Sequence, residues 1–193
     1  MKIVKLLTGN NIYVHDVDMI SNWIENNKRY YEESFLNHIS SNFNNQKNII
    51  DIGANIGNHS HYFLNTMKFD NLYCFEPFEA NFNILKKNVE KFKNRCYLNQ
   101  IALSNENGTK PLFNSEAGNN GGFSLHNYQI EGANKSFLVE DSIEVRTLDS
   151  YNLNNITMIK IDVENHENEV LEGAFETIKR NKPIIFVENL YYG

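Results

Sequence analysis

The regular alternation of short apolar strands with helical segments between residues 48 and 187 constrains the fold more than any other feature of the chain. The helical segments repeat apolar residues every three or four positions, as at Phe82, Leu85 and Val89, whereas the strands are almost wholly apolar. Strands are expected over residues 48–52, 71–75, 96–103, 156–163 and 183–187, and helices over 58–67, 78–92 and 167–180. Strands that alternate with helices form parallel sheets, and wholly apolar strands are covered on both faces. The sequence therefore predicts an α/β fold with a doubly wound, mostly parallel sheet.

The pattern divides the chain into an N-terminal cap and one larger domain, since 193 residues fill a single domain comfortably. Residues 1–46 predict a hairpin around Thr8-Gly9-Asn10, followed by helices over 20–27 and 31–43. Residues 47–193 hold the alternating pattern, with an additional strand over 110–113. Glycines interrupt the pattern after that strand and predict a lid loop over 115–141, with a short extended piece at 136–139.

Charge and composition exclude several classes of partner. The net charge is −6 and the lysines and arginines form no cluster, so the chain is not expected to bind nucleic acid. No apolar run is long enough to span a membrane, and the N-terminus lacks the apolar core of a signal peptide. Cys74 and Cys96 lack the spacing of a zinc site or a disulfide framework, which favours a reducing, cytoplasmic setting.

A loop of small residues after the strand over 48–52 marks the expected ligand site, because ligands of doubly wound sheets bind beyond the carboxyl ends of the strands. The loop reads Asp51-Ile52-Gly53-Ala54-Asn55-Ile56-Gly57, and the next strand ends in Glu76, nineteen residues after Gly57. A carboxylate at that position can accept hydrogen bonds from both hydroxyls of a ribose. Any doubly wound domain needs small residues at this turn, so the loop alone does not identify the ligand. Glu76 is the residue that indicates a nucleoside.

The same loop favours S-adenosylmethionine over a dinucleotide such as NAD. It lacks the GxGxxG pattern with which a helix N-terminus binds a pyrophosphate. Asp51 would also repel a pyrophosphate, whereas a carboxylate attracts the sulfonium and ammonium groups of S-adenosylmethionine. An NAD-dependent oxidoreductase is therefore the weakest of the functions considered.

Seven segments, taken in order, resemble the FkbM family of methyltransferases. The resemblance runs from about residue 48 to 189, roughly three quarters of the chain. The segments are residues 50–57 (IDIGANIG), 75–77 (FEP), 102–104 (ALS) followed by Gly108, 147–149 (TLD), 159–167 (IKIDVENHE), 171–174 (LEGA) and 183–188 (PIIFVE). Each segment is modest alone, but their order is specific.

The resemblance implies a class I methyltransferase fold, which is Rossmann-like, with S-adenosylmethionine as methyl donor. It also implies transfer to a hydroxyl oxygen of a sugar, glycan or small natural product, without fixing the acceptor. By position, it places Asp51, Gly53, Ala54, Asn55 and Gly57 along the methionine part, Glu76 on the ribose, and Phe75, Pro77, Gln100 and Ala102 beside the adenine.

Three departures from the family pattern leave a second function open. The family usually has glycine where this chain has Asn165, and asparagine where it has Gln100; asparagine tolerates a left-handed backbone better than most residues. The pattern also stops soon after residue 187, so the last strands of a class I sheet are not expected, and other segments or a second subunit would cover the sheet edge. The alternative function is therefore a catalytically degenerate cofactor-binding or assembly module of the same fold.

The segment after the strand over 156–163 offers the expected catalytic groups. Methyl transfer to a hydroxyl needs a base to take its proton, and Asp162, Glu164 and His166 follow the carboxyl end of a central strand. His166 titrates in the useful pH range, and Asp162 is held by the strand itself. Structural alternatives are a surface role for His166, a cap at Asp162, and favourable placement of Glu167 at a helix N-terminus.

Other polar residues suggest weaker hypotheses. Asp162, Glu188 and Asn189 would place oxygen ligands for Mg²⁺ or Ca²⁺ at two strand ends, as in catechol-type methyltransferases, but no metal is expected. His59 and His61 point apart on a helix and are interpreted as helix surface or as neighbours of the cofactor loop. Residues 121–128 are expected to form an acceptor lid, and residues 30–33 either cover the cofactor or pack as part of a helix.

Overall fold

The computed structural model describes residues 1–114, 122–125 and 137–188. Its helices and strands, in chain order, are β1 (Lys2–Lys5), β2 (Asn11–Val14), α1 (Met19–Asn27), α2 (Glu33–Asn42), β3 (Asn48–Ile52), α3 (Asn58–Thr66), β4 (Asn71–Phe75), α4 (Glu79–Val89), β5 (Cys96–Asn99), β6 (Ala102–Leu103), β7 (Gly108–Asn114), β8 (Phe123–Ser124), β9 (Phe137–Arg146), β10 (Ile156–Ile161), α5 (Glu167–Gly173), α6 (Phe175–Asn181) and β11 (Ile184–Val187).

A parallel sheet of five strands forms the centre of the molecule and confirms the predicted doubly wound fold. Its order is β11-β10-β3-β4-β5, and every neighbouring pair is parallel. From β3 the chain adds strands outward to β5, and then returns to add β10 and β11 on the other side. The strand order therefore reverses between β3 and β10, and a crevice is expected at the carboxyl ends of these two strands.

Helices cover both faces of this sheet because successive side chains of a strand point to opposite faces. Ile49 and Leu72 pack on the face that α1 to α4 cover, and Ile50 and Phe75 pack on the face that α5 covers. All four side chains are at most 1% exposed. The nearly continuous apolar strands of the sequence are thus explained by burial on both sides.

The segment over 96–103, predicted as one strand, is two strands in different sheets. β5 ends at Asn99, and β6 pairs instead with β9 in a second sheet of order β6-β9-β7-β8. β9 pairs antiparallel with β7 and begins at Phe137, so the extended piece expected at 136–139 belongs to a longer strand that continues to Arg146. Residues 115–121 and 126–136 of the predicted lid loop lie outside the described part of the chain.

The helix predicted over 167–180 is also two helices, because the chain turns at Ala174. Gly173 packs against the carbonyl of Ser104, where an added Cβ would lie 2.0 Å from the oxygen. α6 then starts anew, with the carboxylate of Asp149 accepting hydrogen bonds from the backbone N–H groups of Glu176 (3.0 Å) and Thr177 (2.7 Å). This contact caps the second helix.

The N-terminal elements pack into the same core as the sheet. β1 and β2 form the predicted hairpin, and residues such as Ile12, Ile24 and Leu36 are 0% exposed within the cluster that also contains Ile49. A boundary between two domains near residue 46 stays a prediction. None of the helices described is long and apolar enough to span a bilayer.

Candidate functional site

A cavity of about 370 Å³ opens at the carboxyl ends of β3, β4 and β10, where the strand order reverses. Its volume lies within the range of small-molecule sites. Most of the residues selected from the sequence line it, namely Gly53, Ala54, Asn55, Phe75, Glu76, Pro77, Ala102, Asp162, Glu164 and His166. The structure therefore brings most of the residues expected to bind S-adenosylmethionine, and the three expected catalytic residues, to one cavity.

Glu76 is a buried carboxyl group in the wall of this cavity, with 4% of the residue exposed. Its Oε2 accepts a hydrogen bond from the backbone N–H of Asn55 (2.8 Å), and its Oε1 accepts one from the N–H of Phe78 (2.9 Å). Burial raises the pKa of Glu76 to about 7, although these two bonds act in the opposite direction. The group is thus fixed in place between the loops that follow β3 and β4.

The glycine loop is held close to the loop after β10. Gly53 has φ +73, and an added Cβ would lie 1.7 Å from the carbonyl oxygen of Asp162. The N–H groups of Gly53 and Ala54 both donate to the carbonyl oxygen of Phe75 at 3.0 Å. Glycine at position 53 is therefore required by the neighbouring backbone, because a side chain fits neither the dihedral angle nor the space.

Three of the residues expected to bind S-adenosylmethionine, Asp51, Gly57 and Gln100, do not line the cavity. Asp51 is 0% exposed and lies within the sheet, because its side chain points to the α3 face rather than along the strand. Gly57 begins α3 and packs on Leu85, where a Cβ would lie 2.6 Å from Cδ1. Gln100 is exposed, and its neighbour Ile101 lines the cavity instead.

Lys160 is the residue that sequence reasoning missed. Its Nζ donates to the carbonyl of Gly53 (2.9 Å) and forms ion pairs with Asp51 Oδ1 (3.2 Å) and Asp162 Oδ2 (3.3 Å). Burial alone would lower the pKa of Lys160, but Asp162 and Asp51 raise it above its ordinary value. The sequence does hold a signal for this ion pair, because Lys160 and Asp51 each lie inside an otherwise apolar strand. Charged groups are buried mainly as pairs, so two such residues are expected to meet.

Asp51 extends this ion pair into the core. Its Oδ2 accepts a hydrogen bond from Ser60 Oγ at 2.5 Å, and Ser60 Oγ lies 3.1 Å from Cys74 Sγ. Lys160 and Asp51 are direct register partners on β10 and β3. The pair therefore fastens the two central strands at the point where the cavity begins.

Asp162 and Glu188 place two carboxyl groups side by side at the ends of β10 and β11. Burial would raise the pKa of Asp162, but Lys160 and a hydrogen bond with Glu188 lower it below its ordinary value. That hydrogen bond and partial burial raise the pKa of Glu188 to about 8. The two pKa values move in opposite directions, so Glu188 holds a proton more tightly than Asp162 does.

The loop after β10 is left-handed at two consecutive residues, Glu164 (φ +53) and Asn165 (φ +69). An asparagine at the family's glycine position thus keeps the left-handed turn. Glu167 braces the loop from the first turn of α5, where its Oε1 accepts hydrogen bonds from the N–H groups of Val163 (3.3 Å) and Asn165 (3.1 Å). Burial, Asp162 and Glu167 raise the pKa of Glu164 to about 7.

His166 lines the cavity but is only 3% exposed, so the surface alternative does not apply. Its Nε2 lies 3.0 Å from Ser104 Oγ, and its Nδ1 lies 3.5 Å from Glu169 Oε2. Both ring nitrogens are thus engaged by protein groups. These contacts link the start of α5 to the residue after β6.

Two further groups of predicted residues are partly placed at the cavity. Tyr31 and Glu32 line it from the N-terminal side, whereas Tyr30 is fully buried and Glu33 pairs with Arg29 at 2.5 Å. Of the predicted lid, Phe123 and Leu125 line the cavity. Ser124 Oγ donates to the carbonyl of Glu164 at 2.7 Å.

His59 and His61 are both buried, so of the two interpretations the one as helix surface is wrong, and His59 lies beside the cavity as the other expects. His59 is 7% exposed, lines the cavity, and lies 3.2 Å from Glu32 Oε2. His61 Nδ1 lies 2.9 Å from the hydroxyl of Tyr30, and burial lowers the pKa of His61 to about 4. Within the described residues, no three histidine, cysteine, aspartate or glutamate side chains converge as a metal site, and Asn189 lies outside that part of the chain.

Comparison with known proteins gives one family and several relatives. The model of the methyltransferase FkbM domain matches residues 51–192. The 2-O-methyltransferase NoeI of Sinorhizobium fredii is 28% identical over 150 residues, which are 69% of this chain and 60% of NoeI. The crystal structure of methyltransferase FkbM from Methylobacillus flagellatus has a TM-score of 0.53 and 19% identity, and the likeness covers 74% of this chain and 32% of that one. This chain thus spans less than two thirds of the length of either relative.

Proposed function

This chain belongs to the FkbM methyltransferase family, and from that premise we propose that it binds S-adenosylmethionine in the cavity above β3, β4 and β10. We further propose that it transfers the methyl group to a hydroxyl oxygen of a sugar, glycan or small natural product. The observation that carries the proposal is Glu76, a buried carboxyl group in the wall of that cavity. The name of the relative NoeI, a 2-O-methyltransferase, supports oxygen as the accepting atom.

The residues of the cavity suit this donor in their chemistry. Glu76 offers carboxylate oxygens to a ribose, whose two hydroxyls donate hydrogen bonds. Phe75, Ile101 and Leu103 add an apolar wall on which a flat ring such as adenine can pack. Asp162 adds negative charge, which favours a ligand that carries a sulfonium and an ammonium.

Each of the proposed catalytic residues can be given a definite task. S-adenosylmethionine supplies a methyl group on a positively charged sulfur; the oxygen–carbon bond forms as the carbon–sulfur bond breaks, and the electron pair of the broken bond stays on sulfur. We assign the hydroxyl proton to Glu164, because a carboxyl group with a pKa of about 7 is a base matched to neutral solution. Asp162 stays ionised beside Lys160, and His166 positions the loop through Ser104 and Glu169.

Calorimetric titration with S-adenosylhomocysteine tests the donor site. The wild-type chain is expected to bind, and Glu76→Gln is expected to weaken binding about 10- to 100-fold, the loss of a hydrogen bond to a charged group. Glu79→Gln is the matched control, because Glu79 is an exposed residue outside the cavity that undergoes the same change of charge. No binding by the wild-type chain would refute the proposal.

Methyl transfer to hydroxylated acceptors tests the catalytic assignment. Glu164→Gln is expected to lower kcat by about 10²- to 10⁴-fold, the typical contribution of a general base, and to abolish the change in rate near pH 7. Binding of S-adenosylhomocysteine without transfer to any hydroxyl would instead favour the degenerate cofactor-binding module.

A further inference from the structure

A second cavity of about 300 Å³ lies beside the first, at the carboxyl ends of β10 and β11. The two cavities share part of their walls, since both are lined by Glu32, His59, Lys160, Asp162 and Glu188. The second cavity is otherwise bounded by aromatic and aliphatic side chains of α2, β10 and β11. A molecule in the second cavity would therefore extend one hydroxyl past Asp162 into the first cavity, which holds the methyl donor and is lined by Glu164.

The polar part of the second cavity is rich in carboxyl groups. Glu32, Asp162 and Glu188 line it. Its basic lining residues are Lys160, which already pairs with Asp51 and Asp162, and His59, whose Nε2 lies 3.2 Å from Glu32 Oε2. The Glu32 side chain is 40% exposed and the Asp162 side chain is 28% exposed. Glu32 and Asp162 offer carboxylate oxygens, which only accept hydrogen bonds, so this part of the wall is suited to a ligand with many donors.

The apolar part of the cavity offers a face for a ring. Phe35 is 37% exposed, and its ring packs edge-to-face on Phe186 with 5.7 Å between centroids. Val187, 39% exposed, extends this surface at the end of β11. An exposed aromatic side chain next to hydrogen-bond acceptors combines an apolar surface for the face of a ring with partners for the hydroxyls at its edge.

We propose that the second cavity is the acceptor site, and that it takes a neutral or amino sugar ring and rejects anionic acceptors such as uronic acids. This inference rests on the proposed function, because it needs a donor in the first cavity. The ring packs on Phe35, and its hydroxyls donate to Glu32 and Asp162. A carboxylate or phosphate on the acceptor would meet these carboxylates at close range, where like charges repel.

Saturation-transfer NMR in the presence of S-adenosylhomocysteine tests this inference without requiring turnover. The probes are the methyl glycosides of glucose, glucosamine and glucuronic acid. Saturation is expected to reach the glucoside and the glucosaminide, and to be about 10-fold or more weaker for the glucuronide because of like-charge repulsion. Glu32→Gln should reduce that difference. Phe35→Ala should reduce the saturation-transfer signal of the glucoside about 5-fold, because the contact with the ring is lost.

Phe175→Ala is the matched control, because Phe175 is 60% exposed on α6 and lines neither cavity. Equal binding of glucoside and glucuronide, an unchanged signal in Phe35→Ala, or binding of none of the three glycosides would overturn the acceptor site. Each of these results leaves the proposed function intact as long as calorimetry shows binding of S-adenosylhomocysteine. Loss of that binding in the wild-type chain is the failure of the proposed function itself.

Discussion

Position 53, in the loop after β3, requires glycine for two reasons: the backbone is left-handed, and there is no space for a side chain. Three glycine-to-alanine substitutions, at this and two other positions, separate the two reasons. Gly53 combines a left-handed backbone, φ +73, with a contact of 1.7 Å between an added Cβ and the Asp162 carbonyl oxygen. Gly9, in the hairpin, has φ +86 but no atom within 4 Å of an added Cβ. Gly173 has no left-handed φ, but an added Cβ would lie 2.0 Å from the carbonyl oxygen of Ser104. The first site thus carries both penalties, and each of the others carries one.

The expected losses of unfolding free energy follow from these geometries. For Gly9→Ala we expect about 1 kcal/mol, because the left-handed penalty of roughly 1–2 kcal/mol is partly offset by the restricted unfolded chain. For Gly173→Ala we expect about 1–3 kcal/mol, the cost of forcing an atom into a packed site. For Gly53→Ala, the backbone penalty and the packing penalty together give about 2–5 kcal/mol.

Urea unfolding followed by circular dichroism measures all three losses in one series, and the midpoints are compared at an unchanged slope. Gly53→Ala should also lose affinity for S-adenosylhomocysteine, whereas Gly9→Ala should keep it, because Gly9 lies outside the cavity. The reasoning is refuted if Gly53→Ala costs no more than Gly9→Ala. In that case the loop can move away from Asp162, and the backbone contact does not determine the residue at position 53.

Three further substitutions test the charges around the cavity. Lys160→Met should lower the unfolding free energy by about 3–5 kcal/mol in the urea assay, because it leaves buried carboxylates without their cation. Lys47→Met is the control: it breaks an exposed ion pair with Asp70 and should lower the unfolding free energy by less than about 1 kcal/mol. Affinity for S-adenosylhomocysteine should increase as pH rises through about 7, because the raised pKa of Glu76 leaves it protonated below that pH and the ribose hydroxyls bind the carboxylate. Calorimetry with Glu76→Gln should show a smaller slope, and Glu164, whose pKa is also about 7, accounts for the part that remains. Asn165→Gly should raise the unfolding free energy by up to about 1 kcal/mol in thermal denaturation and Asn165→Ala should lower it, since φ is +69 at that position.

The sequence predicts the central sheet and the place of Glu76 for the same reason. Parallel strands end at a common edge, so a residue that follows an apolar strand can be placed at the crevice from the strand pattern alone. The division of residues 96–103 between two sheets could not be predicted in this way. The pairing of Ala102 with Val145 depends on a contact far along the chain, and no local pattern encodes it.

Asp51 shows where the sequence reasoning reached its limit. A residue one position before the end of a strand points to a face of the sheet and not out of its end, because side chains alternate across a strand. Asp51 therefore points toward Ser60 on α3, and its charge reaches the cavity only through Lys160. An electrostatic argument from the sequence can find such charges, but the pairing of strands decides which of them face the ligand.

The distribution of charge around the cavity supports a cationic ligand independently of the family. Lys160 lies between Asp51 and Asp162 and pairs with both, so its charge only partly offsets the remaining acids, Glu76 and Glu164. Burial and the neighbouring Asp162 raise the pKa of Glu164 to about 7, and a hydrogen bond with Asp162 together with burial raises the pKa of Glu188 to about 8. Acids that hold protons near neutral pH lower the stability of the fold at higher pH, because the unfolded chain releases those protons more easily. A positively charged ligand in this cavity would favour the ionised carboxylates and so lower their pKa values. The protein with such a ligand bound would therefore lose less stability at higher pH than the free protein.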